Sequence, residues 1–306
     1  MKILRKIMIV FTFALSPLFL ISCSKTKNAE IITSLYFQYD IVTNIVGDKM
    51  SVSLLTPLGS EIHDYEPSPK EIESIKNSKL FIYTSDTFEP WVSKVSSNNL
   101  NALNLHEYIE MELDHETSHH EHDDHTHDNH YWTDPIVFIN LMNVVLNEVI
   151  AIDPESRDYY LTNANSYQEE ILNVHTLFET LLETKNNPTI FFYGHNAMSA
   201  FGARYQINIV SLSESYQPDA DVTLKQIEAL KSKLVLANAH YLFIEELVDP
   251  KGAQSLKDNL RNEGYELTIY TLHGYHNISK NEFKEGVRYV DLFKQNYEYI
   301  KLALND

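Results

Sequence analysis

The sequence predicts an α/β protein of two lobes, each with a four-stranded, mostly parallel sheet flanked by helices, joined by one long backbone helix. Three observations carry this. After a polar stretch that ends at Ala29, apolar strand-like runs alternate with helix-like segments, the pattern of strand–helix–strand units with parallel sheets. The alternation comes in two sets of four. Between the sets, the chain from Pro154 to about Glu183 has no further Gly or Pro. As one helix its roughly 30 residues span about 45 Å, enough to connect two lobes.

In chain order, the strands expected in the first set are Ile31–Leu35, Val52–Pro57, Leu80–Thr84 and Ala102–Leu105, the last of them short. Between the first two, Tyr39, Asp40, Ile41, Val42, Ile45 and Val46 make a helical apolar stripe that Gly47 ends. Pro69 to Ile75 opens a second helix, with Glu71 and Glu73 placed where a helix dipole favours acids. Ile136 to Ile150 is strongly apolar and reads as a buried helix. Asp153 is expected to cap the long helix, with Pro154 at its first position. The second set has strands at Thr189–Tyr193, Ile207–Leu212, Tyr241–Glu245 and Leu267–Leu272. Helices are expected over Thr223–Leu236, Asp249–Asn262 and Ser279 to about Leu302. The organisation is therefore a first lobe over 30–152, a connecting helix over 153–185 and a second lobe over 186–306.

The chain has 306 residues, 43% of them hydrophobic, which supports a packed core. With 24 Lys and Arg against 43 Asp and Glu, the net charge is −19. Such a surface repels phosphate backbones, so nucleic acid is not the expected partner, and it attracts cations. At the N-terminus, Lys2, Arg5 and Lys6 precede an apolar run from Ile7 to Ile21. The run is shorter than the roughly 20 residues of a spanning helix and has the order of a secretory signal. Residues 1–22 are read as that signal and 23–29 as a tether. The one cysteine, Cys23, closes Leu20-Ile21-Ser22-Cys23, which resembles the lipobox of bacterial lipoproteins. That resemblance implies cleavage before Cys23 and a lipid on its sulfur.

Seven of the 14 histidines fall between His115 and His130. His115, His119, His120, His122, His125 and His127 lie in a polar stretch over 115–129 without periodicity, which reads as a surface loop of accessory metal ligands. His115-Glu116-Thr117-Ser118-His119 matches the zinc-protease pattern H-E-x-x-H. It lacks the apolar face that would dock such a helix, so a metallohydrolase is not the reading. Other histidines sit where strands give way to loops. His63 follows the second strand, His195 closes the fifth, His273 and His276 follow the eighth, and His130 ends the polar loop. Sites in open α/β sheets lie outside the carboxyl ends of strands, so these side chains are expected to converge on a cleft between the lobes. Three or four neutral imidazoles suit tetrahedral zinc, and a full shell leaves no open position for a reactive water. His106, His175 and His240 have no such context, and Trp91 and Trp132 are read as packing. Glu245 and Glu246 are read as partners that orient an imidazole, with direct ligation as the alternative.

Several segments together resemble the zinc-binding lipoproteins of the bacterial metal ABC importers, the cluster that includes the pneumococcal zinc receptors and the laminin-binding adhesins. LLTPLGSEIHDYEPSPKEI resembles the family's first ligand segment, LFIYTSDTFEPWV its following strand and turn, and HYWTDP its His-x-Trp-x-Asp-Pro pattern. YGHNAMSAFGARYQI and FIEELVDPKGAQSL are similar to segments of its second lobe. The resemblance implies His63, His130 and His195 as metal ligands. Related zinc receptors carry Leu-Asp-Pro-Leu-Glu, with a metal-binding Glu, where this chain has Leu272-His273-Gly274-Tyr275-His276. That alignment implies His276 as the fourth ligand, with His273 as the alternative. Manganese receptors of this family use two carboxylates, so histidine at these positions favours zinc. The implied function is not enzymatic. It is an extracytoplasmic, membrane-anchored, monomeric receptor that captures Zn²⁺ and delivers it to an integral-membrane ABC permease. A manganese receptor or a metal-dependent adhesin of the same family is the alternative.

Overall fold

The structure, a computed structural model, describes residues 29–60, 65–95, 100–109, 130–213 and 223–305. Cys23, His63 and the histidines from His115 to His127 lie outside the described residues. The first lobe runs β1 (Ile31–Thr33), α1 (Tyr36–Val46), β2 (Val52–Leu54), α2 (Pro69–Lys76), β3 (Leu80–Tyr83), α3 (Val92–Val95) and β4 (Ala102–Asn104). A 3₁₀ turn at Tyr131–Thr133 then leads into α4 (Pro135–Ile152), and a second at Pro154–Ser156 opens α5 (Arg157–Leu182). The second lobe runs β5 (Thr189–His195), α6 (Ser199–Tyr205), β6 (Asn208–Ser213), α7 (Leu224–Leu236), β7 (Tyr241–Glu245), α8 (Lys251–Asn262), β8 (Thr268–Leu272), α9 (Lys280–Glu285) and α10 (Tyr289–Leu304).

Each lobe holds one four-stranded sheet, in the orders β2-β1-β3-β4 and β6-β5-β7-β8, with every pair parallel. Both orders reverse direction once, between β1 and β3 and between β5 and β7. These are the crevices where α/β sheets accept ligands.

The inner strands β1, β3 and β7 are buried on both faces, so they read as continuous apolar runs, while the edge strands β2, β4 and β8 each keep an exposed residue. Alternate residues nevertheless enter different cores, because successive side chains of a strand point to opposite faces. In β3, Leu80 and Ile82 join the central core while Phe81 and Tyr83 pack outward with Ile75, Trp91 and Val92. In the second sheet, Ile190, Phe192 and Phe243 face the centre while Phe191, Leu242 and Ile244 pack outward with Leu230, Leu234 and Leu256. The central core is one continuous cluster from Ile31 through α4 and α5 to Ile300, so it spans both lobes. Helix α4 is long and apolar enough to cross a membrane by composition, yet Phe138, Leu141, Met142, Val145 and Val149 pack into that core.

At the junction, Asp40 on α1 accepts the Tyr167 hydroxyl of α5 at 2.5 Å, and Val290 N–H donates to the same hydroxyl at 3.4 Å. Burial pushes the Asp40 carboxyl up to about 7, against the Tyr167 hydrogen bond and the nearby Arg288 charge. Arg288 also pairs with Glu170 of α5 through two hydrogen bonds, 3.2 and 2.6 Å long.

Several expectations shift on inspection of the fold. The first strand ends at Thr33, not Leu35, because Gln38 Oε1 accepts the Ser34 and Leu35 N–H groups and starts α1 early. Asp153 makes no side-chain cap. Its carboxylate accepts the Tyr160 hydroxyl at 2.7 Å, and the long helix proper begins at Arg157. The final helix is two helices, α9 and α10. Gly286, at φ 72, caps α9 in the left-handed conformation and turns the chain.

Candidate metal centre

The second lobe's crevice is where β5 and β7 end side by side. β5 carries a bulge, since its register to β6 shifts between Phe192 and His195. A bulge re-aims the residues beyond it, and here His195 closes the strand with its ring buried. His195 Nδ1 lies 3.2 Å from Glu245 Oε2, at the end of β7. The other oxygen of Glu245 lies 3.6 Å from His276 Nδ1, so one carboxylate spans two imidazoles. Glu246 holds His276 from behind, with Oε1 at 3.2 Å from Nδ1 and 3.3 Å from the backbone nitrogen. Its Oε2 accepts Gly274 N–H at 2.7 Å. A carboxylate at Nδ1 fixes an imidazole's tautomer and leaves Nε2 as the nitrogen that could hold a metal.

His276 sits in a loop that follows β8 and is clamped at both ends. Asn296 of α10 donates to the His273 carbonyl at 2.9 Å and accepts His273 N–H at 2.9 Å. The same amide donates to the Tyr275 hydroxyl at 2.9 Å, which holds Tyr275 at φ 64. A non-glycine residue is rare in that region and persists only where its surroundings hold it. Gly274 is required by contact: a Cβ there would lie 2.7 Å from His276 Cε1 and 2.9 Å from Nδ1.

The first lobe brings His130, which precedes the Tyr131–Thr133 turn. Its carbonyl accepts Thr133 N–H at 3.0 Å and the Thr133 hydroxyl at 2.9 Å. Asp134 then caps α4 through Ile136 N–H at 2.8 Å and pairs with Arg204 of α6 at 2.7 Å. The His130 ring centroid lies 5.3 Å from that of His195 and 4.8 Å from that of His276. Trp132, fully buried, stands edge-on to both His130 and His276, stacks on Phe37, and donates Nε1–H to the Gly274 carbonyl at 2.7 Å. Beneath His130, Phe88 packs edge-on to the imidazole. The next residue, Glu89, accepts the Ser34 hydroxyl and the Thr84 and Ser85 N–H groups. Burial still pushes its carboxyl up to about 7.

The centre is buried and acid-backed. Burial raises the Glu246 carboxyl, but the His276 hydrogen bond and the charges of His276 and His273 hold it below the usual carboxylate range. Ligand atoms of Glu245, Glu246 and His276 lie within 4.8 Å of one another, so this trio could hold a cation by itself.

Of the residues expected from sequence, His130, His195 and His276 come together from both lobes. His273 lies in the same loop but turns its Nε2 to Glu282 of α9, 3.5 Å away. The hydrogen bond from His273 holds the Glu282 carboxyl down to about 2. His175 bonds the Tyr205 hydroxyl at 2.7 Å, and His240 stacks on Tyr265. His106 packs against Tyr131. Asn296 and the bulge in β5 escape the sequence reading; the nearest signal to the bulge is Gly194, just before His195.

The chain is 28% identical to the high-affinity zinc uptake system protein ZnuA of Bacillus subtilis (strain 168), an alignment covering 92% of this chain and 89% of that one. It is 26% identical to the zinc-binding lipoprotein AdcA of Streptococcus pneumoniae (strain R6), over 94% of this chain but 59% of AdcA, so it spans about three fifths of that relative. Its fold is similar to the crystal structure of the metal-dependent lipoprotein YcdH from Bacillus subtilis. The TM-score is 0.72 and the identity 25%, covering 90% of this chain and 98% of that one. A family profile, ZnuA, zinc-uptake complex component A, periplasmic, matches residues 31–303, and with both sheets and all the buried histidines of the crevice inside that match, the chain belongs to this family of transport components, not of enzymes.

Proposed function

We propose that the chain captures Zn²⁺ between its two sheets and delivers it to an integral-membrane ABC permease. The observation that carries this reading is the spacing of the rings. With Zn–N near 2.0–2.1 Å, an imidazole centroid sits about 3.2 Å from the ion, and two rings at the tetrahedral angle have centroids about 5.2 Å apart. The separations of His130 from His195 and His276, 5.3 and 4.8 Å, are close to that value. In this proposal His130, His195 and His276 are three ligands and His63 the fourth. Glu245 and Glu246 orient rings from the outer layer. The names of the relatives, a zinc uptake protein and a zinc-binding lipoprotein, support zinc as the cargo.

Four imidazoles close the shell, which suits carriage of the ion and not hydrolysis. The histidines from His115 to His127 would supply weak accessory sites, and lipid on Cys23 would hold the protein at the outer face of a membrane as a monomer. The test is calorimetric titration of Zn²⁺ into H63A, H130A, H195A and H276A. Each is expected to lose tight binding. Unchanged affinity in all four would end the proposal. Deleting residues 115–128 is expected to lower the metal count in native mass spectra while leaving one tight site. Delivery is checked by zinc uptake in cells lacking the endogenous receptor, which the wild-type chain restores and H195A does not.

A further inference from the structure

The loop that carries His276 begins in the second lobe but is bound by the first. Trp132 Nε1 donates to the Gly274 carbonyl at 2.7 Å, Tyr36 N–H to the His276 carbonyl at 2.9 Å, and Gly59 N–H to the Ile278 carbonyl at 2.9 Å. In the midst of these lies Asn277, 1% exposed. Its side-chain amide donates to the Pro57 carbonyl at 2.8 Å and to the Ser60 carbonyl at 3.0 Å. Its Oδ1 accepts Ile278 N–H at 2.9 Å, so both amide hydrogens and one lone pair of the oxygen are used. Pro57 and Ser60 bracket the turn that follows β2.

From this geometry we infer that Asn277 is a positioning residue for zinc: one buried amide ties the His276 loop of the second lobe to the turn after β2 in the first, and so holds His276 in place beside His130. The inference rests on the zinc-capture reading above. The chemistry requires a primary amide. Two carbonyl oxygens must be met by two N–H groups of one planar nitrogen, while the adjacent oxygen meets a backbone N–H. Aspartate has the same shape but no donors, and its charge would face both carbonyls. Serine offers one donor in place of two. Neither change touches an imidazole, and serine adds no charge, so the effect of N277S on the ion passes through the spacing of the two segments, while aspartate adds a charge to that. Such outer-layer partners of a metal site are typically worth about 10–100-fold in affinity.

The experiment compares purified wild-type protein, N277D, N277S and H195A. Three readings are taken: thermal unfolding without metal, Zn²⁺ release to a chelator by stopped flow, and the visible spectrum of the Co²⁺-loaded protein. N277D is expected to unfold cooperatively without metal, to release Zn²⁺ about tenfold faster or more, and to lose the intense Co²⁺ bands of a tetrahedral site. N277S should fall between it and the wild type. Wild-type release rates and Co²⁺ spectra in both variants would overturn the role. So would failure of both to fold without metal, which would make Asn277 a structural residue alone. If H195A holds Zn²⁺ as the wild type does, the zinc reading itself falls. If H195A loses the ion while N277D matches the wild type, only the role of Asn277 falls.

Discussion

His195 Nδ1 and Glu245 Oε2 meet at 3.2 Å where β5 and β7, adjacent strands of the second sheet, end together. The same carboxylate approaches His276 Nδ1 at 3.6 Å, so it disciplines two rings at once. E245A should therefore cost at least the upper part of the about 10–100-fold in Zn²⁺ affinity that loss of one orienting partner typically costs. E245Q keeps the shape and one acceptor but sets an NH₂ against one of the rings, so a smaller loss is expected. Chelator competition at fixed pH measures both. Affinity within twofold of the wild type for E245A would remove Glu245 from the site's support.

Gly274 offers a separate handle on His276. An alanine methyl would press on the ring at 2.7 Å from Cε1, and Trp132 and Glu246 close the directions in which the ring could yield. Overpacking of this kind costs about 1–3 kcal/mol, and relief here must come from rotating the imidazole. G274A is expected to fold, since the strain is local, and to bind Zn²⁺ at least about tenfold more weakly. An unchanged titration with G274A would mean that the loop shifts freely, which the Asn296 and Asn277 clamps argue against.

Much of this architecture was legible in the residues because its causes are local. Strands such as Leu80–Tyr83 and Tyr241–Glu245 read clearly, since burial on both faces leaves no polar position in the apolar core of each run. Histidines just after such runs fall at one end of a parallel sheet, so their meeting follows from topology. What escaped depends on side-chain partners and helix breaks that the hydrophobic pattern does not mark. Nothing near Asp153 announces that Tyr160 will take its carboxylate. The break at Gly286 is masked by apolar residues that resume at Tyr289. Asn277 and Asn296 resemble any polar residue of a loop or helix until the carbonyls they serve are placed beside them.

Asp40 makes the stability of the protein depend on pH in a direction opposite to most acids. In an unfolded chain it ionises near 3.8, and burial raises it to about 7 in the fold, where Tyr36, Tyr167, Arg288 and Asp291 surround it. Below both values the carboxyl is protonated in either state and its contribution is fully present. As pH rises through about 7 that contribution is lost, because the unfolded chain has already released the proton. D40N, neutral throughout, should flatten this slope and raise stability near neutral pH by ~2 kcal/mol. Glu89, raised from 4.5 to about 7, keeps a slope of the same sign in that variant. Urea midpoints at several pH values between mild acid and neutrality measure the difference. Parallel pH profiles for D40N and wild type would show that Asp40 is ionised in the fold across the range.

The continuous central core makes a final prediction about cooperativity. Phe178, buried on α5, packs against Phe201 and Tyr205 of α6 and against Phe293 and Tyr297 of α10. F178A should cost ~3–5 kcal/mol, the usual range for a buried aromatic that leaves a cavity. All four of these partners belong to the second lobe, whereas Trp91 packs within the first; Trp132 also bonds the Gly274 carbonyl, so the fluorescence is read in a W132F background. If the lobes share one core, the tryptophan fluorescence midpoint in urea must move with the far-UV midpoint, although the substitution does not touch Trp91. If the lobes unfold separately, fluorescence stays at its wild-type midpoint while the far-UV curve splits. A single coincident transition, displaced as a whole, is the expected result. It would also limit how far the lobes can part when the ion leaves.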